Sequence, residues 1–240
     1  MASFSTTATV DEPRISLGDD GILPPIPGGR DDDSGPGLPD YATRLRRARL
    51  GLLVALTPVL MLFVSFSSAY VVRQGLPTLD PRTNQLVLDW IPVTLPKLLL
   101  LNTGVLILSS LFMELARRQI KGQATSIPGT SAEPTKIPWL AMTLVLGLAF
   151  LFGQWSAWRQ LAASGFYVAT TPSSSFVYLL TGTHAVHLMG GVLALFVAGI
   201  ASLLRRSVAT RSIVVDVTAW YWHFMAALWI YILCLLEFAG

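Results

Sequence analysis

A helix rising 1.5 Å per residue needs about 20 consecutive apolar residues to cross a hydrocarbon slab ~30 Å thick, and this chain contains five such runs. The first reaches from about Arg49 to Arg73, with no charge between Leu50 and Val72. The second, about Leu95 to Arg117, carries Lys97 and Glu114 near its two ends, where long side chains snorkel to the interface. The third runs from about Ile137 to Leu161, with Pro138 suited to a first helical turn and Trp155 and Trp158 at an aromatic belt. Between Arg159 and Arg205 no charge appears, but Gly165 and the Thr-Thr-Pro-Ser-Ser-Ser string from Thr170 interrupt that gap, which places a fourth span at 174–204. The fifth covers about 214–238. Strands of a membrane barrel would alternate apolar and polar residues over about ten positions, and these runs are continuous. The expected fold is an all-α membrane protein, a five-transmembrane-helix bundle.

Charge divides the chain into two unlike parts. The formal +3 is the sum of −6 over the first forty residues, which hold eight acids and two bases, and +9 over the rest. Together with 52% hydrophobic and 13% charged residues, this argues for an acidic tail on a membrane body and against a soluble enzyme or a nucleic-acid-binding domain. The expected division is a disordered acidic cytoplasmic tail over 1–43 and a transmembrane domain over 44–240. Docking on a partner's basic surface is the other role open to the tail. The first thirty residues lack the basic and apolar regions of a secretory signal, so no cleavable leader is expected. Lys and Arg set the orientation. With the N-terminus inside, the inner flanks hold Arg44, Arg46, Arg47, Arg49, Arg117, Arg118, Lys121, Lys136, Arg205, Arg206 and Arg211, and the outer flanks only Arg73, Arg82, Lys97 and Arg159. The N-terminus is therefore expected in the cytoplasm and the C-terminus in the periplasm.

Polar groups inside a membrane are costly, so each raises a question of function or packing. His184 and His223 lie about nine or ten residues inside the fourth and fifth spans, and His187 shares the face of His184. One reading is a metal or haem site on facing helices. The other is that the histidines, with Gln154, Thr181, Thr183 and Tyr221, hydrogen-bond across helices or to lipid head groups and water. No acid stands near to orient the imidazoles, and one cysteine, Cys234, makes neither a disulfide nor a cysteine-rich site, so the second reading is preferred. Gly190, Ala194, Ala198 and Ser202 form a ridge of small residues suited to close helix packing. Glu114 is placed to pair with Arg117 or Arg118, and Asp216 to sit at the N-terminus of the last helix. No phosphate-binding loop, nucleophile triad or carboxylate pair is present, and the broken helices or internal symmetry of a transporter are not evident.

Two strings carry a family resemblance. Thr181-Gly182-Thr183-His184-Ala185-Val186-His187, followed by Gly190-Gly191, resembles the Thr-Gly-x-His-x-x-His segment of subunit III of haem-copper oxidases. Trp220-Tyr221-Trp222-His223-Phe224, then Trp229, is similar to the segment opening that family's last helix. Pro96 with Leu101-Asn102-Thr103 and Val105-Leu106, and Gly153-Gln154 with Ala157-Trp158, resemble the preceding helices, so the likeness spans about residues 45 to 238. It implies the short, five-helix bacterial form, in the bacterial inner (plasma) membrane. It also implies a non-redox subunit with no catalytic residue and no metal of its own, the haems and copper lying in subunits I and II. Such a chain would pack on subunit I, bind phospholipid in a cleft, support proton uptake and complex integrity, and meet other oxidase or supercomplex subunits. Subunit III of a quinol oxidase and an accessory subunit of a nitric oxide reductase are the alternatives within the superfamily, and a self-standing haem-binding membrane cytochrome the alternative outside it. His184, His187, Trp220 and His223 are the residues expected to line or support the lipid site. The family commonly has a glutamate where Val59 stands here, next to Pro58, so a proton-handling role does not carry over at that position.

Overall fold

In the computed structural model, the residues described are 41–79, 84–87, 90–91, 96–125, 138–203 and 208–238. They form α1 (Tyr41–Gln74), a two-residue antiparallel pair β1 (Thr78–Leu79) and β2 (Leu86–Val87), α2 (Leu98–Thr125), α3 (Pro138–Ala163), α4 (Pro172–Leu203) and α5 (Val208–Phe238). All five helices are long and apolar enough to cross a membrane. Each matches one of the expected spans. Helix α1 begins at Tyr41, inside the stretch assigned to the acidic tail, and the rest of that tail lies outside the described residues. Helix α2 starts at Leu98, three residues late, because Pro96 stands in the preceding turn and its carbonyl accepts from Leu99 N at 2.9 Å. Helix α5 starts at Val208, six residues early.

Local chemistry explains the break between α3 and α4. Gly165 adopts φ +87° and closes α3 with two paired bonds: Phe166 N to Leu161 O at 3.1 Å and Gly165 N to Ala162 O at 3.0 Å. This is the Schellman arrangement, which satisfies the last carbonyls and favours glycine at the left-handed position. Helix α4 then opens with Pro172 at its first position and Thr171 as cap. Ser174 N donates to Thr171 Oγ1 and Thr171 N to Ser174 Oγ, both at 3.1 Å, a reciprocal capping box with serine in the place usually held by glutamate.

Among the described residues, the helices α2, α3, α4 and α5 form a ring in which each packs on the next, and α1 packs against α4 and α5 and no other helix. Helices α1 and α2 are thus consecutive in sequence without packing on each other. Paired contacts show the alternation of direction. Phe63 and Tyr70 of α1 meet His184 and Phe176 of α4, Asn102 and Ser109 of α2 meet Phe150 and Thr143 of α3, and Thr103 and Ser110 of α2 meet Trp229 and His223 of α5. Near the connection from α1 to α2, Trp90 packs at 5.1 Å on Tyr70 and at 6.4 Å on Phe176, and Ser173 Oγ donates to Ile91 O at 2.5 Å. Residues 90–91 of the connection therefore lie over the start of α4.

Lipid is as apolar as leucine, so close packing and interhelical hydrogen bonds hold such a bundle together. Trp222 is sealed in a notch between Gly147 of α3 and Gly191 of α4, where an added Cβ would stand 2.7 Å and 3.2 Å from its ring. In the small-residue ridge, Ala198 is buried, Ala194 half-buried and Gly190 exposed, and the side chain of Ser202 lies outside the described residues. Gly191, beside the ridge, makes the close approach to α5. Outward faces are rich in large apolar side chains, among them Val54, Met61, Phe152, Leu193 and Phe196.

Candidate functional site

The three histidines occupy three different environments. His184 is fully buried at a point where four helices converge. Trp229 of α5 lies 5.1 Å from its ring, Phe150 of α3 6.1 Å and Phe63 of α1 6.5 Å, centroid to centroid. His187 is half-buried, with its ring 5.9 Å from that of Phe63. Its Nδ1 donates to the carbonyl of Thr183 at 2.8 Å, and its own carbonyl accepts from Tyr221 OH at 2.7 Å. His223 faces α2 instead. It shares a 2.6 Å hydrogen bond with Ser110 through Nδ1, and its Nε2 lies 3.5 Å from Glu114 Oε2. Trp220 is 51% exposed on the outer surface of α5.

These positions keep His184 and His187 on one face of α4, against Phe63, and set His223 and Trp220 apart from them. His184 is core, His187 and His223 border on two different helix seams, and Trp220 faces outward. A haem or metal held jointly by the histidines does not fit this arrangement. His223 lies between Ser110 and Glu114 on the α2 side, away from the aromatic box around His184 and from His187. Among the described residues, no group of three or more His, Cys, Asp or Glu is placed to hold a metal ion.

Other interhelical bonds fall where the family-like strings placed polar residues. Trp158 Nε1 donates to Thr181 Oγ1 at 3.1 Å, so Trp158 joins α3 to α4 instead of marking only a belt. Asn102 Nδ2 donates to Phe150 O at 3.0 Å, seated where Gly153 leaves room, and Trp229 Nε1 donates to Thr103 Oγ1 at 2.9 Å. Ser109 Oγ donates to Thr143 O at 3.1 Å. Val59 is half-buried against the core one turn before Phe63, and α1 continues through Pro58.

The most concentrated electrostatics lie near the N-terminal part of α5 and the C-terminal part of α2. Glu114 accepts from Arg117 Nε at 2.7 Å, Arg117 Nη2 at 2.9 Å and Arg118 Nε at 2.8 Å, the expected i,i+3 and i,i+4 pairing. Asp216 departs from expectation. Because α5 starts at Val208, Asp216 is more than two turns inside it, beyond the reach of the helix-terminal dipole. Its carboxylate is 0% exposed and bound by Arg49 at 2.8 Å, Lys121 at 2.9 Å and Arg117 at 3.4 Å. One anion thus ties together α1, α2 and α5, which matters most for α1, whose helix neighbours among the described residues are α4 and α5. Tyr41 OH and Ser212 Oγ, 2.9 Å apart, add a second α1–α5 tie nearby. The sequence offered no sign of this hub beyond the basic inner flanks.

A five-helix bundle with interhelical polar bonds, apolar outer faces and paired charges near its helix ends defines a multi-pass membrane protein. The family model for cytochrome c oxidase subunit III matches residues 41–240, and the chain belongs to that family. Among curated relatives, a probable cytochrome c oxidase subunit 3 of Mycobacterium tuberculosis is 35% identical over 103 residues, 42% of this chain and 49% of the relative. The subunit 3 of Corynebacterium diphtheriae is 29% identical over 92 residues, 38% of this chain and 45% of that protein. That of Heterololigo bleekeri is 24% identical over 182 residues, 76% of this chain and 66% of the relative. The matched part spans about half the length of the bacterial relatives.

Proposed function

We infer that this chain works as subunit III of a haem-copper terminal oxidase, a proton-pumping complex that reduces O2 to water in aerobic electron transport. The observation that carries this reading is the family match over the whole helical body, which includes both histidine strings in their expected order. The chain is a non-redox subunit. Haems and copper belong to subunits I and II, its apolar outer faces pack on subunit I, and its own residues serve integrity and proton uptake. It sits in the bacterial plasma membrane with the N-terminus in the cytoplasm and the C-terminus in the periplasm. The Arg49–Asp216–Lys121 cluster supports that orientation, because it belongs to the flanks richest in Lys and Arg.

Bound phospholipid is part of the reading. Trp220, exposed on α5, and His187 and His223, half-buried at helix seams, are the lipid-contacting residues, while His184 supports them from the core. Purification in mild detergent tests the assignment. A haem-copper subunit should co-purify with this chain, and repeated recovery of the chain alone would overturn it. The turnover of that complex with cytochrome c against quinol then identifies the electron donor, which the partner subunits set.

A further inference from the structure

Among the described residues, Trp90, Gln119, Arg211 and Trp222 each have one buried polar atom without a hydrogen-bonding partner within the protein, and two more side chains, near the middle of α3 and α4, are likewise unpaired. They are His184, at both ring nitrogens, and Gln154, at Oε1. His184 is 0% and Gln154 2% exposed. The surroundings of His184 are already committed. Phe63 and Phe150 have no polar side-chain atom, and Trp229 spends its Nε1 on Thr103. Thr181, one turn before His184, accepts from Trp158 Nε1 and donates to Val177 O at 2.6 Å.

The two unpaired groups are neighbours by register. Phe150 and Trp158 of α3 both touch α4, the first at His184 and the second at Thr181. Gln154 stands one turn from each on the same face of α3. It is therefore level with the Thr181–His184 turn across the α3–α4 seam.

An imidazole in either neutral tautomer has one donor and one acceptor, and the amide oxygen accepts only. A buried donor or acceptor left unpaired costs more than an ordinary hydrogen bond contributes. Small molecules that both donate and accept relieve all of these groups at once, and water is the one that every such interior can reach. An N–H pointing at the face of Phe63 or Phe150 is a weaker substitute and serves one nitrogen at most, leaving the other and Gln154 unpaired.

We propose that His184 and Gln154 form an internal hydration site between α3 and α4, holding ordered water within the aromatic box of Phe63, Phe150 and Trp229. The ligand class is a neutral, water-sized molecule that donates and accepts hydrogen bonds. The site adds a polar tie between α3 and α4 next to the Trp158–Thr181 bond. It belongs to the chain's own bundle and does not depend on the oxidase reading, so its failure would leave that reading intact.

The test is solid-state NMR of the full chain in its membrane complex with 15N-labelled histidine, the His184 signal being the one lost in His184→Phe. Magnetisation should pass from water to the His184 ring, the ring shifts should be those of a hydrogen-bonded imidazole, and Gln154→Leu should weaken the transfer while His187 and His223 keep theirs. A His184 ring without water transfer overturns the proposal, and so does transfer that Gln154→Leu leaves unchanged. Should Gln154→Leu fail to assemble, a high-resolution map of the unaltered complex decides. Density within hydrogen-bond distance of both a His184 nitrogen and Gln154 Oε1 supports the site, and density at neither or only one overturns it.

Discussion

Asp216→Asn keeps the shape of the side chain at the α1–α2–α5 junction and removes its charge. Three cations then lose their shared anion. Removing one member of a fully buried ion pair costs about 3–5 kcal/mol. Asp216 is sealed, but the side chains of Arg49 and Lys121 are 39% and 40% exposed and can turn toward water, which moves their share toward the ~0–1 kcal/mol of surface pairs. Arg117 is 22% exposed and keeps its two bonds to Glu114. The expected loss is therefore about 2–3 kcal/mol, below the fully buried range. That is roughly a 30- to 150-fold shift in the folding equilibrium. Arg49→Gln, which strands no buried cation, should cost about 1 kcal/mol. Reversible unfolding in mixed micelles measures both. Amide exchange should rise specifically over Tyr41 to Arg49 in Asp216→Asn, because among the described residues α1 packs on α4 and α5 and not on α2 or α3. A loss no larger than the ~0.5 kcal/mol of an ordinary surface substitution, with exchange in α1 unchanged, would refute the hub.

Other expectations follow from the packing. Gly191→Ala places a Cβ 2.9 Å from Tyr221 Cε1 and 3.2 Å from the Trp222 ring, so it should destabilise the α4–α5 seam by about 1–3 kcal/mol in the same unfolding assay. Gly104→Ala, with nothing within 4 Å of its Cβ, should stay within about 0.5 kcal/mol or gain slightly from helix propensity. Trp229→Phe removes the donor to Thr103 Oγ1 and part of the wall around His184. It should lower thermal stability by about 1 kcal/mol or more, whereas Trp155→Phe, at an exposed position, should change little. Lipid retained after delipidation should fall in Trp220→Ala, while His184→Ala should lower stability and leave retention nearly as it was. Equal retention in Trp220→Ala and the unaltered protein would remove Trp220 from the lipid-contacting set.

Much of the fold was legible because each helix must satisfy the bilayer by itself. Twenty uncharged residues mark a span wherever its neighbours lie, and Gly165 and Thr171-Pro172 end and begin helices through bonds made within a few residues. The polar residues Gln154 and Thr181 were readable as unusual for a span, though not which groups they would meet. Glu114 with Arg117 and Arg118 was readable too, since i,i+3 and i,i+4 spacing alone brings them together. Where a reading needed two helices it weakened. His184, His187 and His223 looked like one constellation along the sequence, yet the rotation of α5 turns His223 toward α2, away from the other two.

The sequence by itself determined the number of helices, their approximate ends, the uneven distribution of charge and, through two short strings, the family. Those properties depend on local composition and on the thickness of the membrane, which act on each segment separately. Tertiary structure alone decided that α1 packs on α4 and α5 instead of α2, that Asp216 is the common anion of three helices, and that His184 lies in an aromatic box with neither ring nitrogen paired. Those properties depend on how five cylinders rotate and cross, and that choice is made by side-chain packing across the seams, where no single segment carries the answer.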